Sequence, residues 1–162
     1  EGVDKRMDVL VTAMTAGMTA EDLFHLDLAY APPFSTTKDP VHYTGMILEN
    51  AVHRGRDLLT AAEVDRRVAE GTLQVIDARV PGQFEKGHVD RAVNLPHDRI
   101  REAMAGLDPE VPVVTYCNKG VTGNAAQNIL LNHGFREVYC LSGGYRQYRA
   151  DRKGRRPSGQ SD

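Results

Sequence analysis

The sequence predicts an α/β fold in which helices cover both faces of a parallel sheet. Short apolar runs rich in β-branched residues predict strands, and stretches with helical spacing lie between them. The predicted strands are 73–76, 92–95, 111–116 and 137–141, and the predicted helices between them are 98–104 and 124–133. A capping box at Thr60 and Glu63 opens a further helix, which ends near Gly71. Strands that alternate with helices form parallel sheets that are buried on both faces.

Residues 1–56 form a first, mainly helical part. Apolar spacing predicts one helix over 5–16, and a second is predicted over 40–53, with a proline in its first turn. Between them, Thr19 and Asp22 resemble a capping box, which predicts another helix start. No predicted strand accompanies these helices, so this part is not expected to form a core alone.

The remaining chain divides at about residue 150. Residues 57–150 contain all the predicted strands. Residues 151–162 are basic, contain Gly, Pro and Ser, and lack periodicity, which predicts a flexible tail; an arm that contacts anions is the alternative. Residues 30–34 of the first part include two consecutive prolines and are expected to be extended, because proline fixes φ and restricts the residue before it.

The composition excludes several classes of protein. Of the 162 residues, 41% are hydrophobic and 26% are charged, which are globular values that exclude wholesale disorder. The net charge of −2 gives no reason to expect a nucleic-acid partner. No apolar run approaches the ~18 residues that a membrane span requires. The chain begins with Glu1 rather than methionine, so we expect a piece of a longer polypeptide.

The chain contains two cysteines, which are too few for a disulfide scaffold and lack the spacing of metal ligands. This usage is typical of a reducing compartment and predicts a cytoplasmic location. Cys140 lies in the middle of a predicted strand, where we expect a small buried residue. Cys117 directly follows a strand, and the alternatives for it are a buried residue at the strand end and a reactive thiol.

Cys117 begins a tight loop that leads from a strand into a helix. Its thiol then faces the amino end of the helix, where unsatisfied N–H groups favour thiolate over thiol. Gly120 and Gly123 allow successive N–H groups to point inward as an anion nest, and Lys119 is expected to add positive charge at the mouth. Asp77 also follows a strand directly, and parallel sheets bind ligands at the carboxyl ends of strands. Such a pocket suits an anion one bond beyond sulfur, such as the terminal sulfur of a persulfide.

Around this loop the sequence resembles the rhodanese family. Four other motifs follow the family's order: Val75-Ile76-Asp77-Ala78-Arg79, Phe84-Glu85-Lys86-Gly87-His88-Val89, Ala92-Val93-Asn94-Leu95-Pro96 and Leu141-Ser142-Gly143-Gly144-Tyr145. One motif alone would be weak, whereas the ordered set is specific and covers nearly all of 58–148. The resemblance implies a rhodanese-like parallel sheet of about five strands with helices on both faces, in agreement with the pattern above.

The resemblance also implies a sulfurtransferase. Cys117 would attack a sulfane donor, hold the outer sulfur as a persulfide and pass it to a thiol-type acceptor, so that one transfer becomes two easier steps. Backbone N–H groups would bind that sulfur; they belong to Asn118, Lys119, Gly120, Val121, Thr122 and Gly123. Asp77 and Arg79 would either support the loop through charge-assisted hydrogen bonds or form a structural ion pair beneath it.

The loop departs from the family pattern at Thr122, where many members carry arginine. Without arginine the loop keeps its N–H groups but lacks a fixed, bidentate clamp for oxyanions. This departure disfavours thiosulfate as the best donor, and it also disfavours a cysteine-based phosphatase. A second departure is Gln83, which stands where glutamate is common.

The first part has a resemblance of its own. Three segments are similar to the C-terminal end of the dimerisation domain of FAD-dependent CoA-disulfide reductases, some of which carry a C-terminal rhodanese domain. These segments are 2–10, 27–34 and 38–41. In that family a tyrosine near the subunit boundary faces the partner's flavin-side cysteine. Tyr30 is the candidate, and the alternative is a tyrosine packed beside the Pro-Pro turn. The sequence has no GxGxxG loop, so no cofactor is expected in this chain, and FAD and NAD(P)H are implied only for a reductase part outside it.

Three functions follow from these patterns. The first is an enzyme that transfers sulfur to a small thiol acceptor. The second is a carrier that receives sulfur from a persulfide, a polysulfide or CoA persulfide and presents it to an attached disulfide reductase. The third is a non-catalytic interaction segment, against which Cys117 and its intact glycine loop argue. The sequence leaves open whether the first part pairs the chain into a homodimer.

The two cysteines are expected to respond differently to substitution. Cys117→Ser removes the nucleophile and should abolish sulfur transfer, whereas Cys140→Ser should retain most of it. Both variants are compared with the unsubstituted chain in one transfer assay. Equal losses in the two variants would contradict the assignment of the site.

Overall fold

The computed structural model describes residues 2–29, Pro33 and residues 38–155. It divides into two compact units, Glu1–Gly55 and Arg56–Asp162, so the observed boundary lies one residue from the predicted one. Tyr30 and the other residues of the predicted extended segment, apart from Pro33, lie outside the described residues.

The first unit is helical in all its described elements, which are α1 (Val3–Thr15), α2 (Ala20–His25) and α3 (Pro40–His53). The capping box predicted at Thr19 and Asp22 is confirmed, because each side chain accepts a hydrogen bond from the backbone N–H of the other residue. The buried core is small and contains Ala13, Leu23 and Val41.

The second unit contains a five-stranded sheet in the order β1-β5-β4-β2-β3, and every paired strand is parallel to its neighbour. The strands are β1 (Leu58–Leu59), β2 (Gln74–Asp77), β3 (Ala92–Asn94), β4 (Val113–Tyr116) and β5 (Val138–Leu141). The helices are α4 (Ala61–Glu70), α5 (Pro81–Phe84), α6 (Ile100–Ala103), α7 (Val121–Leu131) and α8 (Gly144–Arg155), with a 3-10 turn at Met104–Gly106. The predicted α/β class and the parallel sheet are confirmed.

Two buried clusters cover the two faces of the sheet. Successive strand residues point to opposite faces, so the neighbours Val75 and Ile76 of β2 belong to different clusters. Val75 packs with side chains of α4 and with Tyr148 of α8, whereas Ile76 packs with side chains of α6 and α7. The sheet is therefore buried on both sides, and its ligand-accessible region is the edge where the strands end.

Several elements differ from the predicted ones. β1 and α5 were not predicted, because two and four residues are too short to show a periodicity. Helix α7 begins at Val121 rather than at 124. The predicted flexible tail is wrong for 151–155, since α8 continues to Arg155. Two tertiary contacts hold this helix: the hydroxyl of the buried Tyr148 donates a hydrogen bond to Asp65 at 2.6 Å, and Arg152 in the second half of α8 donates to Asp90 at 3.3 Å.

None of the described helices is long and apolar enough to cross a membrane.

Replacing Ile76 with alanine should lower the free energy of unfolding by about 2–5 kcal/mol, because a fully buried side chain leaves a cavity. Val93 is the matched control: it pairs with Ile76 in register on β3, but its side chain is 51% exposed. Val93→Ala should cost less than about 1 kcal/mol. Urea unfolding followed by circular dichroism measures both, and equal losses would show that Ile76 does not belong to the core.

Candidate active site

The site lies where β4 ends, near the middle of the sheet. All four residues of β4 are buried between β2 and β5, so the strand fixes the position of the residue that follows it, Cys117. Asp77 ends β2 and pairs in register with Tyr116, the last residue of β4. Asp77 and Cys117 therefore lie at the same edge of the sheet, as the sequence predicted.

The Cys117 sulfur faces the start of α7. The backbone N–H of Gly120 donates a hydrogen bond to Sγ at 3.2 Å. Gly120 is the N-cap of α7 and has a φ of 107°, a left-handed conformation that favours glycine. The positive end of the helix dipole thus lies beside the sulfur. Cys117 itself is only 8% exposed, so its sulfur is largely shielded from water.

The predicted loop is shorter than expected and is partly helical. Asn118, Lys119 and Gly120 form the connection, and the last three predicted binding residues, Val121, Thr122 and Gly123, are the first turn of α7. N–H groups in a first turn have no partner within their helix. The predicted set of anion-binding N–H groups is therefore divided between a short loop and a helix end.

A close approach at Gly123 packs α7 against the end of β4. A Cβ atom at this position would lie 3.0 Å from the Tyr116 Cα, and 3.1 Å from both the Cys117 nitrogen and the Cys140 sulfur. These distances are shorter than ordinary van der Waals contacts, so only glycine fits without displacing the loop. Gly123 therefore contributes to the site by the absence of a side chain.

A second helix end holds the other side of the loop. At the start of α8, the N–H of Tyr145 donates to the Cys117 carbonyl at 2.8 Å, and the N–H of Arg146 donates to the Asn118 carbonyl at 3.2 Å. Gly144 has a φ of 62°, and a Cβ on it would lie 2.5 Å from the Cys117 carbonyl oxygen. Sequence reasoning gave this segment no role in the site, although its pair of glycines before an aromatic residue was a signal of close approach.

Asp77 and Arg79 form a buried ion pair beneath the loop. The Arg79 Nε donates to both carboxylate oxygens of Asp77 at 2.9 and 3.0 Å, and Nη2 donates to the same carboxylate and to the Gly87 carbonyl. The guanidinium also lies 4.1 Å from the centre of the Tyr145 ring. Burial alone would lower the pKa of Arg79, but the hydrogen bonds to Asp77 and the charge of that carboxylate outweigh it and raise the pKa. Arg79 thus pairs with the buried Asp77 and also reaches the loop, where its Nη1 lies 3.5 Å from Asn118 Oδ1.

The side chain of Asn118 joins the loop to α5. Its Nδ2 donates to Gln83 Oε1 at 3.0 Å, and its Oδ1 lies 3.5 Å from the donor Nη1 of Arg79. Gln83 was not predicted as a site residue, since position 83 was noted only as a departure from a family pattern.

Cys140 lies under the same loop as a buried thiol, as predicted. It is 2% exposed, and its Sγ is 3.8 Å from the Gly120 carbonyl oxygen, to which it donates a weak hydrogen bond. Burial raises the pKa of the Cys140 thiol to about 12, and the electrostatic interaction between the two cysteines adds to this effect. At neutral pH Cys140 is therefore a neutral thiol and a poor nucleophile.

Two predicted residues remain. Lys119 is exposed and lies in the connection between β4 and α7, and Tyr30 lies outside the described residues. Among the residues that the structure describes, no group of three or more His, Cys, Asp or Glu side chains could hold a metal ion.

A cysteine between two helix ends, at the carboxyl edge of a parallel sheet, places this domain in the class of α/β proteins that carry a thiol at the strand ends. Residues 60–151 match the family model of the rhodanese-like domain, and the chain belongs to that family. The predicted rhodanese resemblance is thereby confirmed. Thiosulfate sulfurtransferase GlpE of Pseudomonas aeruginosa is 30% identical over 90 residues, which cover 56% of this chain and 82% of that protein.

Two solved structures are similar over both units. The reduced Bacillus anthracis protein CoADR-RHD is 35% identical with a TM-score of 0.86, over 96% of this chain and 28% of that one. A NAD-dependent persulfide reductase from A. fulgidus is 32% identical with a TM-score of 0.74, over 88% of this chain and 25% of that one. The chain thus spans about a quarter of the length of each protein, and its expected resemblance to reductase–rhodanese fusions is confirmed.

Gly144→Ala should displace the loop, because the new methyl group would overlap the Cys117 carbonyl oxygen and the left-handed φ disfavours alanine. A shift of about 1 Å at a reacting group costs about 100-fold in rate, so we expect the rate of sulfur transfer to fall by that order. Gly106→Ala is the control, since no atom lies within 4 Å of its added Cβ. A Gly144→Ala variant with the unsubstituted rate would show that α8 does not position Cys117.

Proposed function

We propose that the second unit moves sulfane sulfur through a persulfide on Cys117 to a thiol acceptor. Membership of the rhodanese family, with a thiosulfate sulfurtransferase among the relatives, supports sulfurtransferase activity at the level of the family. One observation carries the assignment to Cys117: its sulfur accepts the Gly120 N–H at 3.2 Å, at the amino end of α7.

The proposed reaction has two displacement steps at sulfur. The Cys117 thiolate attacks the outer sulfur of a donor R–S–SH. The donor S–S bond breaks, R–S⁻ leaves with the electron pair, and Cys117 Sγ–SH forms. An acceptor thiolate then attacks the outer sulfur, which carries its proton to the acceptor as a new persulfide and returns Cys117 as a thiolate. No external oxidant or reductant is needed, because the sulfur atom moves at an unchanged oxidation level.

The geometry supports both steps by the same interaction. The Gly120 N–H and the start of α7 favour negative charge on Sγ, which stabilises the attacking thiolate in the first step and the leaving thiolate in the second. While the persulfide is held, its outer sulfur lies one bond beyond Sγ. If it releases its proton to solvent, the N–H groups of the first turn, which have no partner within the helix, stabilise the resulting negative charge, and the outer sulfur takes a proton back before transfer. Asp77 and Arg79 act indirectly, by fixing the loop from below.

Thr122 favours a persulfide or polysulfide donor over thiosulfate. Position 122 lies in the first turn of α7, where an arginine would supply a planar, bidentate site for the sulfonate oxygens of thiosulfate. Threonine supplies only one hydroxyl in addition to the backbone N–H groups. We therefore infer a donor whose leaving group is a thiolate rather than sulfite.

A second candidate function is a persulfide carrier for a disulfide reductase domain. The two structures that match both units support it, since one is named a persulfide reductase and their chains are about three and a half times as long. In this role the acceptor is the reductase's own thiol, and CoA persulfide is a candidate donor. FAD and NAD(P)H belong to that reductase part, Tyr30 is the proposed contact to it, and the first unit would join a homodimer. The two free cysteines fit a reducing, cytoplasmic compartment.

The first experiment is the intact mass of the 162-residue chain after incubation with a persulfide donor. We expect a gain of one sulfur atom, about 32 Da by the logic of a covalent intermediate, that is absent from Cys117→Ser. Addition of a small thiol then separates the two functions: rapid loss of the added sulfur over many cycles indicates an enzyme, and a long-lived persulfide indicates a carrier. No mass gain with either persulfide or polysulfide would overturn the proposal.

A further inference from the structure

We propose that Gln83 is a positioning residue that acts through Asn118, and that its uncharged amide makes the site selective for anionic sulfane donors. The inference deepens the proposed function and rests on it. It concerns the residue directly after the reactive cysteine, whose side chain links the buried ion pair to α5.

Asn118 is held at three points. Its backbone carbonyl accepts the Arg146 N–H at 3.2 Å, its side-chain Nδ2 donates to Gln83 Oε1 at 3.0 Å, and its Oδ1 lies 3.5 Å from Arg79 Nη1. The first contact fixes the main chain of the loop, and the other two fix the side chain. Because Asn118 is covalently joined to Cys117, these restraints also limit the movement of the sulfur.

The hydrogen-bonding capacity of Arg79 decides the orientation of both amides. A guanidinium only donates, so the Asn118 oxygen must face Arg79 and its NH₂ must face position 83. Position 83 must then supply an acceptor, which Gln83 does through Oε1. Arg79 is itself immobilised by Asp77 and by the Gly87 carbonyl. The hydrogen-bond chain therefore begins at the buried, immobile Arg79, passes through the side chain of Asn118 and ends at Gln83 on the surface.

Glutamine and glutamate both satisfy this requirement, and they differ in charge. A carboxylate at position 83 would accept the Asn118 N–H equally well, but it would place a negative charge beside the residue that follows Cys117. Lys119 follows Asn118 in the chain, the backbone N–H of Arg146 donates to the Asn118 carbonyl, and both residues are exposed and cationic. A neutral amide at position 83 does not oppose the attraction of these cations for an anionic donor. Exchanging glutamine for glutamate therefore changes the charge at position 83 and keeps the hydrogen-bond acceptor. The positioning effect and the electrostatic effect of this residue can then be measured separately.

Two variants of the full chain test the two roles separately. Gln83→Met removes the acceptor without adding charge, and Gln83→Glu keeps the acceptor and adds charge. The donors are a matched pair of small persulfides: that of thioglycolate, which is anionic, and that of cysteamine, which is cationic. The value of kcat/KM for formation of the Cys117 persulfide is measured for each donor by intact mass and by release of the donor thiol.

Gln83→Met should slow both donors by a similar factor of about 2–10, as expected for loss of one hydrogen bond. Gln83→Glu should retain the rate with the cationic donor and lose about 3–10-fold with the anionic donor, and this loss should shrink in high salt. Asn132→Asp is the control for net charge. It adds a negative charge at the carboxyl end of the 11-residue α7, ~16 Å from the amino end that faces Cys117. Its donor preference should match that of the unsubstituted chain.

The outcomes distinguish this inference from the function on which it rests. Unchanged rates in Gln83→Met would overturn the positioning role, and an unchanged donor preference in Gln83→Glu would overturn the selectivity. Equal losses with both donors in Gln83→Glu would show that position 83 is merely structural. If the unsubstituted chain forms no Cys117 persulfide with either donor, the proposed function fails and the inference fails with it.

Discussion

The parallel pairing of β4 between β2 and β5 is the constraint on which the rest of the site depends. A strand buried on both faces and bonded on both edges has little freedom, so the residue that follows it starts from a fixed position. That residue is Cys117. The chain must reverse immediately after it, and the first hydrogen-bond donors that it meets are those at the amino end of α7. The position of the strand end therefore determines which hydrogen-bond donors surround the Cys117 sulfur.

The loop is held by backbone groups more than by side chains. The start of α7 donates to the sulfur, and the start of α8 donates to the carbonyls of Cys117 and Asn118. At Gly123 and Gly144 the lack of a side chain is what matters, because a Cβ atom at either position would overlap the loop. Backbone N–H groups recognise negative charge without recognising its carrier, which suits a sulfur atom that arrives on one molecule and leaves on another.

The buried ion pair shows how charge is used below the site. Arg79 and Asp77 are almost completely buried, and burying two charges costs free energy that their attraction must offset. Four N–H groups of the Arg79 guanidinium point at the Asp77 carboxylate, the Gly87 carbonyl and Asn118. The guanidinium therefore connects the strand end to the loop. A hydrophobic pair of the same size would fill the space but would give the loop no directional contact. The ion pair therefore provides rigidity and not a further catalytic group.

The sequence by itself determined the fold class, indicated Cys117 as the candidate nucleophile and predicted the approximate starts of most elements. Periodicity and capping chemistry are local, so the helices at Thr19 and Thr60 and the buried strands were readable from neighbouring residues. Only the tertiary structure decided the roles of α8 and Gln83, because the residues that they contact are 28 to 35 positions away in the chain. Tyr148 shows the same limit: its contact with Asp65, 83 positions away, anchors a helix whose second half looked like a tail. Local patterns specify which elements form, whereas the groups that hold the reactive sulfur come from segments that meet only when the sheet is complete.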